Sequence, residues 1–195
     1  ISSYKGDDPG LYSYLKAEQF DIAFVTGWQR LIPVRLLRMV KYGFFGWHGS
    51  PFPLPDGKGR SPMNWSLRLG QTKIYHHFIR YSAGVDDGDI VDVNVFRLSG
   101  EEYIKDVLAL AEQHMCNSAH ALLSKPPHEW NEFTKQRKGA HIILPKLCED
   151  DGLISENLTS EEALNIIRSC SKPFPGAFVL GSGSAKLRIW EANRE

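Results

Sequence analysis

Apolar and polar positions along the chain fall into short blocks whose spacing predicts alternating helices and strands. Leu11, Tyr14, Leu15 and Phe20 recur at helical spacing. The apolar run 21–25, closed by Gly27, reads as a buried strand. Pro33 then opens a helix over 33–40 at a first-turn position that suits proline, and 43–47 is a second buried strand. Strand, helix and strand within about 30 residues is the size of a βαβ unit, which implies a parallel sheet with a right-handed crossover.

Beyond this unit, residues 48–60 hold three prolines and three glycines and predict a loop. Ser61 before Pro62 marks the start of a short helix that ends at Gly70. Residues 73–81 and 90–98, rich in β-branched and aromatic side chains, predict two strands that pair as a hairpin across a tight turn at 83–89. The longest helix covers 99–123, with an apolar stripe through Ile104, Val107, Leu108, Ala111, Met115, Ala119 and Leu122 and a capping box at Ser99 and Glu102. After a break rich in proline and basic residues, a capped helix precedes the turn at 173–176, and 185–190 is a last strand.

Composition narrows the class. A 195-residue chain that is 42% hydrophobic, with five Trp, seven Tyr and ten Phe, can bury a real core, so disorder is excluded. Lys+Arg and Asp+Glu both number 23, so no global field draws the chain to a polyanion. Cys116, Cys148 and Cys170 are sparse and odd in number, which fits a reducing cytosol and not a secreted disulfide framework. No apolar run approaches the roughly 18 residues of a membrane span.

Candidate chemistry centres on His48, which follows the second strand, and Asp86, in the 83–89 turn. Both are read at strand ends, where an open α/β sheet collects its ligands. A histidine beside a carboxylate can move a proton at neutral pH, because the carboxylate sets the ring's tautomer. Glycines 46, 49, 84 and 88 flank the two residues and permit close approach of a ligand. The alternative reading is a histidine capping a strand and an ordinary Asx turn. His76 and His77, adjacent in a strand, point to opposite faces and cannot share a metal. His114 and His120, six apart on a helix with no Cys partner, argue against zinc. Residues 55–60 have the composition of a phosphate loop without the Walker spacing, so Lys58 and Arg60 are candidates to touch a phosphate or carboxylate. Residues 136–138, Gln-Arg-Lys, read as a solvated charged segment.

The stretch "GWHGSPFPLPDGKGRSPMNWSLRLGQ", followed by "HFIRYSAGVDDGDIV", resembles the folate-dependent formyltransferases. In that family a strand carries Asn-x-His, then a proline-rich loop, an Arg-Gly loop, a Pro-x-x-Trp helix and a Gly-Val-Asp-x-Gly-Asp-Ile turn. "CEDDGLI" and "IIRSCSKPFPGAF" resemble later segments of its longer members, so the likeness covers most of 20–180. It implies an α/β fold with a largely parallel central sheet flanked by helices. Residues 1–145 would form the catalytic domain and 146–195 a helix-turn-strand extension. By position it implies that His48 and Asp86 are catalytic, with His48 stabilising the oxyanion and Asp86 orienting His48 and helping to move the amine proton. It also implies that Gly84, Val85, Asp87 and Gly88 meet the folate, and that Lys58, Arg60 and Asn64 lie on the acceptor side.

The implied reaction is transfer of a formyl group from 10-formyltetrahydrofolate to a primary amine. The "GWQRLIP" and "GKGRSPMNW" segments are similar to the sugar-modifying members, which points to a nucleotide-linked amino sugar as acceptor. Methionyl-tRNA is the alternative, the location is cytoplasmic with no membrane partner, and a homodimer is left open. Two departures stand out. Gly46 occupies the position of the family's Asn, a donor to the formyl oxygen, with Asn64 or a water as candidates to compensate. The family also begins with strand-helix units that this chain lacks before residue 20, so Ile1 is read as the edge of a truncated or natural fragment. Both departures keep a non-catalytic binding module as the second class.

Overall fold

The computed structural model describes residues 9–28, 30–182 and 185–193. Ile1, and Gln29 within the 27–33 segment, lie outside these. Helix α1 (Pro9–Glu18) turns Tyr12 and Leu15 inward and leads to strand β1 (Ala23–Val25). Helix α2 (Val34–Leu37) is a single turn after Pro33, shorter than the apolar spacing over 33–40 predicts. Strand β2 (Phe44–Ser50) runs parallel to β1, with Phe24 opposite Phe45. This is the parallel pair of the expected βαβ unit.

A two-residue strand β3 (Lys58–Gly59) and helix α3 (Pro62–Arg68) precede β4 (Lys73–Arg80) and β5 (Asp89–Arg97). The main sheet has the order β1-β2-β4-β5. Strand β4 is antiparallel to both β2 and β5, so the expected largely parallel sheet is mixed over the described residues. The tight turn at 83–89 forces the β4–β5 pair to be antiparallel, as a hairpin must be.

Helix α4 (Ile104–Leu123) starts at Tyr103, whose N–H donates to the Asp106 carboxylate at 2.8 Å. The expected capping box at Ser99 and Glu102 exists as a local contact, with the Ser99 N–H donating to Glu102 at 2.9 Å, but it closes the preceding loop. The first turn of α4 instead begins where Ile104 enters the core. Strand β6 (Ile143–Leu144) pairs in parallel with β3. Helix α5 (Ser160–Cys170) has the expected cap, Thr159 accepting from the Glu162 N–H at 3.2 Å. The chain closes with the hairpin β7 (Ala177–Leu180) and β8 (Lys186–Ile189).

Side-chain alternation on β2 divides the core between the two faces of the sheet. Phe44 joins Tyr12, Leu15, Leu36 and Val40 on the side of α1 and α2. Phe45 joins Phe78, Leu122 and Trp130 on the side of α4. His48 shares the parity of Phe44 and so faces away from α4. The ring of Trp47 stacks on Phe78 with centroids 4.7 Å apart, on the α4 side.

Two neighbouring histidines of β4 divide between the same faces. On the α4 side, the His114 Nε2–H donates to Asp92 at 3.0 Å. Its Nδ1 lies 2.8 Å from His76 Nδ1, so one of these two nitrogens donates and the other accepts. Burial, reinforced by the neighbouring histidines, lowers the pKa of His76 to about 3. Burial likewise lowers that of His77 to about 4. Both rings stay neutral in the folded chain across a range in which the unfolded chain, with an ordinary histidine pKa of 6.5, takes up protons. The unfolded state therefore binds more protons below pH 6.5, and stability falls as the pH drops toward the folded values. The expected loss is about 1.4 kcal/mol per pH unit for each of the two rings. Urea unfolding at a series of pH values reads this directly, and a flat profile from about pH 7 to about pH 5 would contradict it.

Candidate active site

His48 lies within β2, four residues after its start, and not beyond its end as the apolar run predicts. The strand continues through Ser50 because β4 pairs alongside, with His48 opposite His77 and Ser50 opposite Tyr75. The ring is 6% exposed. Its Nε2 lies 2.9 Å from the Gly57 carbonyl oxygen, and its Nδ1 lies 3.4 Å from Asp86 Oδ1. Both ring nitrogens thus face oxygen acceptors. A ring with one proton serves only one of them, and the doubly protonated ring serves both.

Asp86 is held from three directions. Its φ of +46° puts it in the left-handed region that aspartate tolerates in turns. The Gly59 N–H donates to its Oδ2 at 2.9 Å, leaving Oδ1 toward His48. Gln136 Nε2 donates to the carbonyls of Asp86 and Gly88, each at 2.8 Å. The 136–138 segment, read as solvated, therefore clamps the turn. Gln136 Oε1 is buried and has no hydrogen-bond partner among the described residues.

His77 fixes the loop that follows His48. The Leu54 N–H donates to His77 Nε2 at 3.0 Å, which places the ring's proton on Nδ1, and Nδ1 donates to the His48 carbonyl at 3.2 Å. The lowered pKa of His77 keeps Nε2 free to accept. Sequence reasoning missed this role. Its only local signal is the position of His77 on the same side of β4 as the face that β2 presents with His48.

The other predicted site residues fall as follows. Lys58 is buried, and its ammonium donates to Asp87 at 2.9 Å, so each occupies the other and neither is aimed at a ligand on its own. Asn64 Nδ2 donates to the Ser169 carbonyl at 2.8 Å and ties α3 to α5. Arg60 is exposed, and its N–H donates to the Leu144 carbonyl at 3.0 Å. Val85 is 46% exposed at the tip of the turn. The Gly84 N–H donates to Ser82 Oγ at 3.4 Å. Gly88 lies flat against β4, where a Cβ would stand 1.7 Å from the Arg80 carbonyl oxygen. Asp87 and Asp89 line a cleft of about 460 Å³ together with Lys135, Arg137, Lys138 and His141, and Lys135 lies 3.7 Å from Asp89. Among the described residues, no group of His, Cys, Asp and Glu side chains is arranged to hold a metal, and no helix is long and apolar enough to cross a membrane.

A sequence model of the formyl transferase family matches residues 2–119, more than half of the chain. The chain belongs to the formyl transferase family. Its fold is the α/β fold of that family, by its likeness to solved structures. A methionyl-tRNA formyltransferase from Clostridium thermocellum is 20% identical with a TM-score of 0.75, over 90% of this chain and 73% of the other. A sugar N-formyltransferase from a Shewanella species is 14% identical with a TM-score of 0.75, over 99% of this chain and 77% of the other. HypX from Aquifex aeolicus, solved in complex with tetrahydrofolic acid, is 16% identical with a TM-score of 0.63. There the likeness covers 82% of this chain and 27% of the other.

Proposed function

We propose that this formyl transferase moves a formyl group from 10-formyltetrahydrofolate to the primary amine of a nucleotide-linked sugar. The observation that carries the reading is the 3.4 Å approach of His48 Nδ1 to Asp86 Oδ1 on the sheet face away from α4. In the reaction the amine lone pair attacks the formyl carbon, a new carbon–nitrogen bond forms, and the carbonyl electrons move onto oxygen. Collapse breaks the bond to the folate nitrogen, and the proton lost by the amine returns to that nitrogen as it leaves. In this reading His48 Nε2 exchanges the Gly57 carbonyl for the developing oxyanion and passes this proton, while Asp86 orients the ring through Nδ1. The formyl donor is consumed at each turnover, so it is a substrate and not a resident group.

In this reading the donor's pterin ring lies against the backbone of the 83–89 turn, which Gln136 holds through the Asp86 and Gly88 carbonyls. A net charge of +0 provides no field extended enough for a polyanion, which favours a small acceptor over tRNA. The fold itself does not separate the two acceptors, because sugar and tRNA formyltransferases match it with equal TM-scores of 0.75.

An acceptor panel tests the reading. Purified protein with 10-formyltetrahydrofolate is expected to formylate at least one nucleotide-linked amino sugar and to leave methionyl-tRNA unmodified. Formylation of methionyl-tRNA alone would reverse the choice of acceptor.

A further inference from the structure

A glycine in the middle of a buried strand leaves room that some neighbour must fill. At Gly46 the neighbour is Tyr81. A Cβ built on Gly46 would stand 2.3 Å from the Tyr81 hydroxyl oxygen, 2.6 Å from Cζ and 2.8 Å from Cε2. The end of the phenol ring therefore occupies the space of a side chain at position 46. Gly46 and His48 are two residues apart on β2, so that space lies on the same face as the His48 ring.

Tyr81 is held there. It follows the last residue of β4, and its N–H donates to the Phe44 carbonyl at 2.7 Å. Its ring packs against the Tyr12, Leu36 and Phe44 cluster. Burial, with the nearby Asp86 charge adding to it, pushes its pKa up to about 12, so the hydroxyl keeps its proton near neutral pH.

We infer that Tyr81 is a further catalytic residue, its hydroxyl donating a hydrogen bond to the formyl oxygen as negative charge develops there. This rests on the formyl-transfer reading above. Gly46 and Tyr81 then form one unit: the glycine opens the space, and a residue from the neighbouring strand's end fills it with a rigid donor. Loss of one such donor lowers kcat by about 10²–10³.

The test is kinetic, on the whole chain with 10-formyltetrahydrofolate and the acceptor found in the panel. Tyr81→Phe keeps the ring and removes the hydroxyl. It is expected to lower kcat by about 10²–10³ with KM nearly unchanged. Its melting midpoint should match the wild type, which separates lost chemistry from lost packing. Gly46→Asn alone is expected to lose both activity and stability, because its Cβ meets the phenol, and Gly46→Asn with Tyr81→Ala to recover both. Wild-type turnover that Tyr81→Phe leaves unchanged overturns this inference alone, provided His48→Ala is inactive. Absence of wild-type turnover on every acceptor overturns the formyl-transfer reading, and this inference with it.

Discussion

His48→Ala is expected to lower the rate of formyl transfer by about 10²–10⁴, the range lost when a positioned proton-transfer group is removed. The ring is buried and holds the Gly57 carbonyl, so alanine also leaves that carbonyl without its partner. A companion variant, His48→Gln, keeps a donor within reach of Gly57 but cannot shuttle a proton. If His48 serves only to pin the loop, His48→Gln retains turnover. If it carries the chemistry, both variants lose turnover, and the glutamine variant keeps the melting midpoint of the wild type. Steady-state rates with melting curves on the same preparations distinguish the two.

Gly88→Ala is expected to be the most damaging single change in the turn. The added Cβ would stand 1.7 Å from the Arg80 carbonyl oxygen and 2.7 Å from its carbon, both backbone atoms that cannot swing aside. Relief requires β4 and β5 to separate where Arg80 pairs with Asp89, and that movement carries Asp86 away from His48. A destabilisation of about 3 kcal/mol or more is expected, with activity lost in parallel. Gly84→Ala is the control. There the nearest atoms all belong to the Asp87 side chain, Oδ2 at 2.6 Å and Cβ at 2.8 Å, so relief disturbs Asp87 and its contact with Lys58 but not the strand pairing, and a smaller loss than at Gly88 is expected. Urea unfolding of both variants gives the comparison, and equal midpoints would show that close packing at Gly88 is not what closes the turn.

The parts of this site legible in the sequence are those set by local pattern. The apolar runs at 21–25 and 43–47 marked β1 and β2, and the Gly-Val-Asp-Asp-Gly-Asp turn marked the position of Asp86. The end of β2 was not legible, because its last residues are strand only by pairing with β4, a partner more than twenty residues away. Gln136 was hidden for a similar reason. Its neighbours are charged and solvated, and only the folded chain brings its amide to the carbonyls of Asp86 and Gly88. The alternation rule separated His76 from His77 correctly, yet it could not say that one ring would meet α4 and the other would tether Leu54. Tyr81 had a weak signal, a glycine inside an aromatic strand with an aromatic residue soon after the next strand. That signal names a vacancy but not the residue that fills it.

The central claim is that His48 and Asp86 transfer a formyl group to an amine. It is tested most directly by following an isotope-labelled formyl carbon from 10-formyltetrahydrofolate into a nucleotide-linked amino sugar, with wild type and His48→Ala side by side. The account predicts labelled N-formyl sugar with wild type, released together with tetrahydrofolate, and labelling slower by about 10²–10⁴ with His48→Ala. Equal labelling by both proteins, or none by wild type on any amine acceptor, would contradict it.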